Sequence, residues 1–259
     1  MKRALSILGI PVLMAIACPS FLWADDILDD LVLANKILFS EKVVDAFGHV
    51  SVRDPNNLNQ FLMAQGVQPP FVTREDILVL DLDGNKVHKQ QPGNPSIERF
   101  IYAEIYRARP DVMAIAHSHA EEVLPFTVAK DTPLRALTHN GGLLRSGAPV
   151  FEIRDYLGEN SNMLVGDKKL GEAVAKTLGS HTVVLMRGHG FTVVGGSLKE
   201  AVYNAINTLI SARVQLNAIR LGNLTYLTEG EAAATSKIHK TVLDRNWEVW
   251  KKRALGQLP

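Results

Sequence analysis

The chain has 259 residues, 46% of them hydrophobic and 21% charged, and a formal net charge of +1 at neutral pH. That balance excludes a disordered or fibrous chain, and without a basic stripe carrying aromatics it gives no electrostatic case for nucleic-acid binding. A single cysteine, Cys18, excludes an intrachain disulfide.

In chain order, "MKRALSILGIPVLMAIACPSFLWA" comes first. Lys2 and Arg3 precede an uncharged apolar run dotted with Ala15, Ala17 and Ala24. This pattern predicts a secretory signal over 1–24 and one domain over 25–259, exported to the periplasm. Two alternatives would bring the chain to a membrane. One is an uncleaved anchor, since 4–24 is just long enough to span a bilayer. The other is lipidation of Cys18 within "AIAC".

"DDILDDLVLANKILFS" spaces its apolar residues for an amphipathic helix. "HVSVRD" and "FLMA" read as short strands, and "DILVLDLDGNKV" as a hairpin around Asp83-Gly84. "NPSIERFIYAEIYRARPD" reads as a helix with Ser96 as N-cap and Pro110 past its end. "VMAIAHSH" follows as a buried strand, and "KKLGEAVAKTLGS" as a helix ending at Gly179. "TVVLMRGHGFTVVGG" predicts two strands around a glycine-flanked turn. A long helix then runs through "SLKEAVYNAINTLISARVQLNAIRLG", with Ser197 capping and Glu200 in the capping-box position. A last helix lies around "IHKTVLDRNWEVWKKRA". Strands interleaved with helices make the class α/β or α+β, and the hairpin favours a mixed or antiparallel sheet.

Two residues apart on a strand, His117 and His119 project from one face, and neutral imidazoles are ligands for first-row divalent metals. His189 sits between Gly188 and Gly190, where the backbone can turn tightly. Three histidines without an obvious fourth ligand match a catalytic site that keeps one position open. Glu98, on the helix before the His-x-His strand, is the candidate proton carrier, with Glu121 and Glu122 as rivals. His49 and His139 lie in loop-like stretches near glycine and are candidates to line the site. His88 and His239 read as solvated, and His181 has no companion.

The segments "DAFGHVSVRDP", "ERFIYAEIYRARPDVMAIAHSHA" and "LMRGHGFTVVGGSLKEAV", in this order, resemble the class II aldolase/adducin family over roughly Asp30 to Trp250. The resemblance implies a three-layer α/β/α fold around a mainly antiparallel sheet, assembled as a homotetramer with sites near subunit interfaces. It also implies His117, His119 and His189 as ligands of one divalent ion per chain. Zinc is the first choice, with manganese, cobalt or iron as alternatives. Glu98 matches the family's acid/base and precedes His117 by nineteen positions, the interval of its sugar-phosphate aldolases. The implied chemistry is cleavage of a bond beside a carbonyl, with the ion stabilising the enolate.

Departures bear on substrate. Where fuculose-phosphate-type aldolases hold phosphate with Gly-Asn-x-Ser, Thr-Gly or Ser-Gly, and Ser-Ser, this chain has Gly48-His49-Val50-Ser51, Gln65-Gly66 and Ser96-Ile97. A phosphate dianion wants several donors, and here an imidazole replaces an amide and an aliphatic chain replaces a hydroxyl donor. Ser51, Gln65, Gly66, Ser96 and His49 remain substrate-binding candidates. The wording is closer to the decarboxylase-like branch that includes 3-hydroxy-2-methylpyridine-4,5-dicarboxylate 4-decarboxylase. Arg53 would then hold a substrate carboxylate, unless it is an exposed strand-end arginine. "FLMAQGVQPPFV" lacks the arginine-containing stretch of a pyridine-dicarboxylate enzyme, so that substrate does not transfer.

The expectation is a divalent-metal-dependent carbon–carbon lyase acting on a small oxygenated carboxylate or carbonyl compound, with decarboxylation ahead of aldol cleavage. Epimerase, dehydratase and iron-dependent oxidase readings stand behind it. From another class come a non-catalytic adducin-like protein and a periplasmic binding protein. Retention of all three histidines and Glu98 favours catalysis over both.

Overall fold

The computed structural model describes residues 24–258. The predicted leader, Cys18 included, lies outside the described residues apart from Ala24. No helix among the described residues is long and apolar enough to cross a membrane.

The elements are α1 (Ala24–Ser40), β1 (His49–Arg53), β2 (Gln60–Ala64), β3 (Ile77–Asp81), α2 (Arg99–Ala108), β4 (Ala114–Ser118) and α3 (Leu124–Val128). After a 3-10 turn at His139–Leu144 come β5 (Val150–Phe151), α4 (Arg154–Leu157), α5 (Lys168–Leu178), β6 (Val183–Met186) and β7 (Gly190–Gly195). The chain closes with α6 (Leu198–Ile219), α7 (Glu229–His239) and α8 (Leu243–Ala254). The strands form one seven-stranded sheet in the order β3-β2-β1-β4-β7-β6-β5. Only the β5–β6 pair is parallel.

Period-two alternation divides the sheet between two cores. Val50, Val52, Leu62, Ala64, Ala114 and Ala116 face one layer, built from α1, α6 and α8. Phe61, Met63, Ile115, Val184 and Val194 face the other, built from α2 and α5. Burial on both faces explains why these strands read as nearly continuous apolar runs. The three-layer α/β/α arrangement expected from the resemblance is therefore present, with its mainly antiparallel sheet.

Four local expectations change. The Asp83-Gly84 turn forms, with Gly84 at φ +78°, but the second hairpin arm is a single bridge between Leu80 and Lys86. The polar residues after Val87 offer no apolar face to extend it. Helix α2 starts at Arg99 with Glu98 at the capping position, while Ser96 Oγ accepts the Glu98 N–H at 3.2 Å. Ser197 caps α6 through the Glu200 N–H at 3.1 Å, but the Glu200 carboxylate reaches back to the Gly196 N–H, so the reciprocal box does not close. The last helix is two helices joined by a 3-10 turn, and α7 opens with a Thr228–Glu231 capping box.

Ser197→Ala should lower stability by about 1 kcal/mol, the usual worth of such a cap, read as a shifted urea midpoint at unchanged slope.

Candidate metal centre

Register carries three side chains to one end of the sheet. His117 lies opposite His49 on β1 and opposite Thr192 on β7, and all three point into the α2–α5 face. His119 follows one residue beyond β4, and His189 sits in the turn from β6 to β7. That turn needs its glycines. Gly188 adopts φ +63°, and a Cβ on Gly190 would lie 2.1 Å from the Ser118 carbonyl oxygen. The sheet thereby brings residues 72 positions apart into contact.

The three Nε2 atoms converge at 3.0 Å (His117–His119), 3.3 Å (His117–His189) and 3.2 Å (His119–His189). Their Nδ1 partners settle the tautomers. His189 Nδ1 donates to the Met163 carbonyl at 2.8 Å, and His119 Nδ1 donates to Asp45 Oδ1 at 3.3 Å. Neither oxygen can donate in return. His117 Nδ1 contacts Thr192 Oγ1 at 3.0 Å, and that hydroxyl turns its own proton toward Met186 Sδ. With protons on all three Nδ1 atoms, three Nε2 lone pairs face one another across about 3 Å, an arrangement that a cation among them would relieve. Tetrahedral zinc, with Zn–N of about 2.0–2.1 Å, would set its nitrogens about 3.3 Å apart. The donor set fits a divalent metal.

Glu98 completes the cluster. Its Oε2 stands 3.6 Å from Nε2 of both His117 and His189, and its Oε1 accepts the Val165 N–H at 3.2 Å. One ligand atom from each of the four residues lies within 4.8 Å of the others. Glu98 can therefore serve as a fourth ligand or as a proton carrier beside an ion. Burial, reinforced by the neighbouring imidazoles, holds His117 well below the ordinary histidine range, so it is neutral and ready to bind metal.

His49 supports the cluster without joining it. Its ring stacks on His117 at 5.5 Å between centroids. Its Nδ1 lies 2.5 Å from the Tyr102 hydroxyl, which donates to the His49 carbonyl, and its Nε2 lies 3.2 Å from Ser96 Oγ. Burial pushes the His49 imidazole down to about 3 and the Tyr102 phenol upward, so both are neutral. Ser96 thus links His49 to Glu98.

Other sequence candidates lie elsewhere. Arg53, 3% exposed, points into the α2 face, where its Nη2 donates to the carbonyls of Tyr106 and Arg109. It shares a face with His49 but lies four residues further along β1, roughly 13 Å at strand rise. It therefore holds the end of α2 and lies away from the histidine cluster. Ser51 is fully buried, with its hydroxyl 2.7 Å from that of Tyr106. Gln65, just past β2, donates to Asp76 Oδ1 at 2.6 Å, and Gly66 has open space around it. His139 pairs with His239 at 3.0 Å, away from the cluster, so His239 is not simply solvated. Glu122 is paired with Arg213 at 3.0 Å.

The sequence reading missed the groups that orient the ligands. Asp45 opens the quoted "DAFGH" stretch, and its Oδ1 also accepts the backbone N–H groups of Phe47 and Gly48. Thr192 could have been found from strand register. The Met163 carbonyl carries no sequence signal, because it depends on a non-glycine residue at φ +65°.

With this geometry in place, comparison is decisive. The Class II Aldolase and Adducin N-terminal domain matches residues 29–216. The chain belongs to the class II aldolase and adducin family. It is 34% identical over 240 residues to decarboxylase tropJ of Talaromyces stipitatus, covering 83% of this chain and 88% of that one. It is 29% identical over 209 residues to a 3,4-dihydroxyphthalate decarboxylase of Arthrobacter keyseri, covering 74% and 78%. The L-fuculose 1-phosphate aldolase from Glaciozyma antarctica shares its fold, with a TM-score of 0.72 at 22% identity over 92% of this chain and 93% of that one.

Within this family fold, Asp45→Asn should weaken divalent-metal affinity by about 10–100-fold, measured by competition with a chromophoric chelator, because His119 loses its anionic anchor. Arg53→Met should lower stability by about 2 kcal/mol, through lost charge-assisted hydrogen bonds, and leave metal affinity unchanged. A change in substrate KM with unchanged stability would instead return Arg53 to substrate binding.

Proposed function

We propose that the protein is a divalent-metal-dependent carbon–carbon lyase, a decarboxylase of small oxygenated carboxylates with an aromatic or similarly planar frame. The observation that carries this reading is the convergence of three Nε2 lone pairs beside the Glu98 carboxylate, with every Nδ1 already engaged. His117, His119 and His189 would hold the ion, zinc by preference, with manganese, cobalt or iron compatible with the same donors. A divalent ion held there supplies Lewis acidity, drawing electron density from a bound substrate oxygen. Glu98 handles the proton. As carbon dioxide departs, the bonding pair stays on the substrate carbon, and Glu98 in its protonated form would pass its proton from Oε2 to that carbon, leaving the carboxylate. Val165 N–H fixes the other oxygen, so the carboxyl group keeps one orientation.

Decarboxylation is favoured over aldol cleavage of a sugar phosphate by the rim. Ile97 is 59% exposed where phosphate-binding relatives place a hydroxyl donor. Ser96 Oγ is already engaged by His49 and the Glu98 N–H. Arg53 is committed to α2, and Arg187, beside the His189 turn, is bound to Glu152 at 2.6 Å. Phe47, 74% exposed next to the Asp45 anchor, and Val128, 57% exposed near Gly188, add apolar surface at the mouth. Such surface suits a flat ring more than a phosphorylated sugar. The names of tropJ and the dihydroxyphthalate enzyme support the same choice. Export to the periplasm and assembly as a homotetramer belong to this proposal, on the leader pattern and the family resemblance respectively.

Leaderless protein prepared without chelators should carry near one divalent ion per chain by elemental mass spectrometry. A His117→Ala/His189→Ala double variant should lose it while keeping its circular dichroism spectrum. With hydroxylated benzoates and phthalates as probes, Glu98→Gln should cut carbon dioxide release by about 100–10,000-fold. An absence of metal after supplementation with several divalent ions, or full activity in Glu98→Gln, would sink the reading.

A further inference from the structure

A cavity of about 600 Å3 lies away from the metal cluster, and none of the four cluster residues lines it. It opens between α6, α7, the 139–144 turn and the residues just before β6, the end of that strand opposite the His189 turn. Its wall from α7 comes after residue 216, where the family match ends. The cavity is therefore built partly from chain beyond the shared domain.

Two hydroxyls of its lining residues have nothing to donate to. Tyr203 is 4% exposed, and its hydroxyl has no hydrogen-bond partner. Ser236, from α7, carries a second buried hydroxyl without one. Buried polar groups are ordinarily satisfied, so two such hydroxyls lining one cavity call for a common explanation. Burial pushes the Tyr203 phenol up to about 12, so it keeps its proton at neutral pH. The His239 ring stacks on Tyr203 at 5.4 Å, and its Nε2 is occupied by His139.

The charges point the same way. Glu200 is closed off, with one oxygen 2.8 Å from Lys240 Nζ and the other accepting the Gly196 N–H. Arg145 donates to the Glu229 carbonyl at 3.4 Å and pairs loosely with its carboxylate at 3.8 Å, and Lys237 has no ion pair among the described residues. Three lining cations face two acids that are both already engaged, which leaves Lys237 and the two hydroxyls without an acceptor among the described residues. An incoming ligand with several acceptor oxygens would restore the balance.

We propose that this cavity is a second ligand site that takes a small oxyanion, a carboxylate or a phosphate, paired with Lys237 and Arg145 and reached by the Tyr203 hydroxyl. The site is independent of the chemistry at the metal centre, and its failure would leave the lyase reading intact.

The test is calorimetric titration and thermal unfolding of the full chain with inorganic phosphate and, separately, with succinate, each against sodium chloride at matched ionic strength. The parent, the parent stripped with a chelator, Lys237→Ala and Tyr203→Phe are compared. The expected result is saturable binding and a concentration-dependent rise in Tm with at least one anion, kept after metal removal. The responding anion distinguishes phosphate from carboxylate. Binding should weaken at least tenfold in Lys237→Ala and in Tyr203→Phe. Free Tyr203→Phe should melt no lower than the parent, because the hydroxyl it lacks had no partner. No saturable response beyond the salt control, or a response lost on metal removal, would overturn the proposal. So would a Tyr203→Phe variant that melts lower yet binds normally, since the hydroxyl would then be a structural bond.

Discussion

Three imidazole nitrogens held lone pair to lone pair at about 3 Å is an arrangement that side chains left to themselves avoid. Here it is imposed by what lies behind each ring. A threonine hydroxyl, a carboxylate and a backbone carbonyl engage the far nitrogens, so each ring presents its basic nitrogen to the centre. The anchors come from β7, from the loop before β1 and from the loop before α5. The cluster therefore exists only when three separate parts of the chain are in place. A metal ion would convert that repulsion into coordination, and metal affinity would become part of the folding free energy of this end of the sheet.

The antiparallel sheet is the frame that makes this possible. Pairing of β4 with both β1 and β7 fixes His117 between His49 and Thr192, and no shift of one residue would preserve the row. Beneath it, α2 holds Tyr102 and Tyr106 against β1 and sends Glu98 from its capping position into the centre. The same alternation that sets His49 against His117 aims Ser51 and Arg53 along the same face, progressively further from the histidine cluster. One strand thus packs against the histidine cluster at its first residue and anchors α2 at its last.

The two ends of the β6–β7 pair differ in character. The His189 end gathers neutral imidazoles, one carboxylate and exposed apolar side chains, a setting for an ion and a planar ligand. The opposite end, walled by α6 and α7, gathers cations and unpartnered hydroxyls. That second end owes its form to the C-terminal helices, which also complete the core that α1 begins through Trp247 and Trp250.

Periodicity, caps and turns in the sequence pointed to the α/β class, to every strand but β5 and to α1, α2, α5, α6 and α8, while α3, α4 and α7 carried no signal that was read. His-x-His, the glycine-flanked histidine and the family resemblance together named His117, His119, His189 and Glu98, which the structure brings together. The residue signals among these are local: a two-residue period, a cap, a glycine-flanked histidine. The fate of Arg53 and Ser51 was not legible, because a strand's pattern gives the face of a side chain but not how far along that face the site lies. Neither was the role of Asp45 or of the Met163 carbonyl, since an anchor is defined by what it meets in space. His139 reads as a site residue from its glycine-rich neighbourhood, yet packing pairs it with His239, 100 positions away. The sequence determined which groups could do chemistry. Only the tertiary structure decided which of them meet, because convergence within hydrogen-bond distance depends on strand register and helix placement that no local pattern encodes.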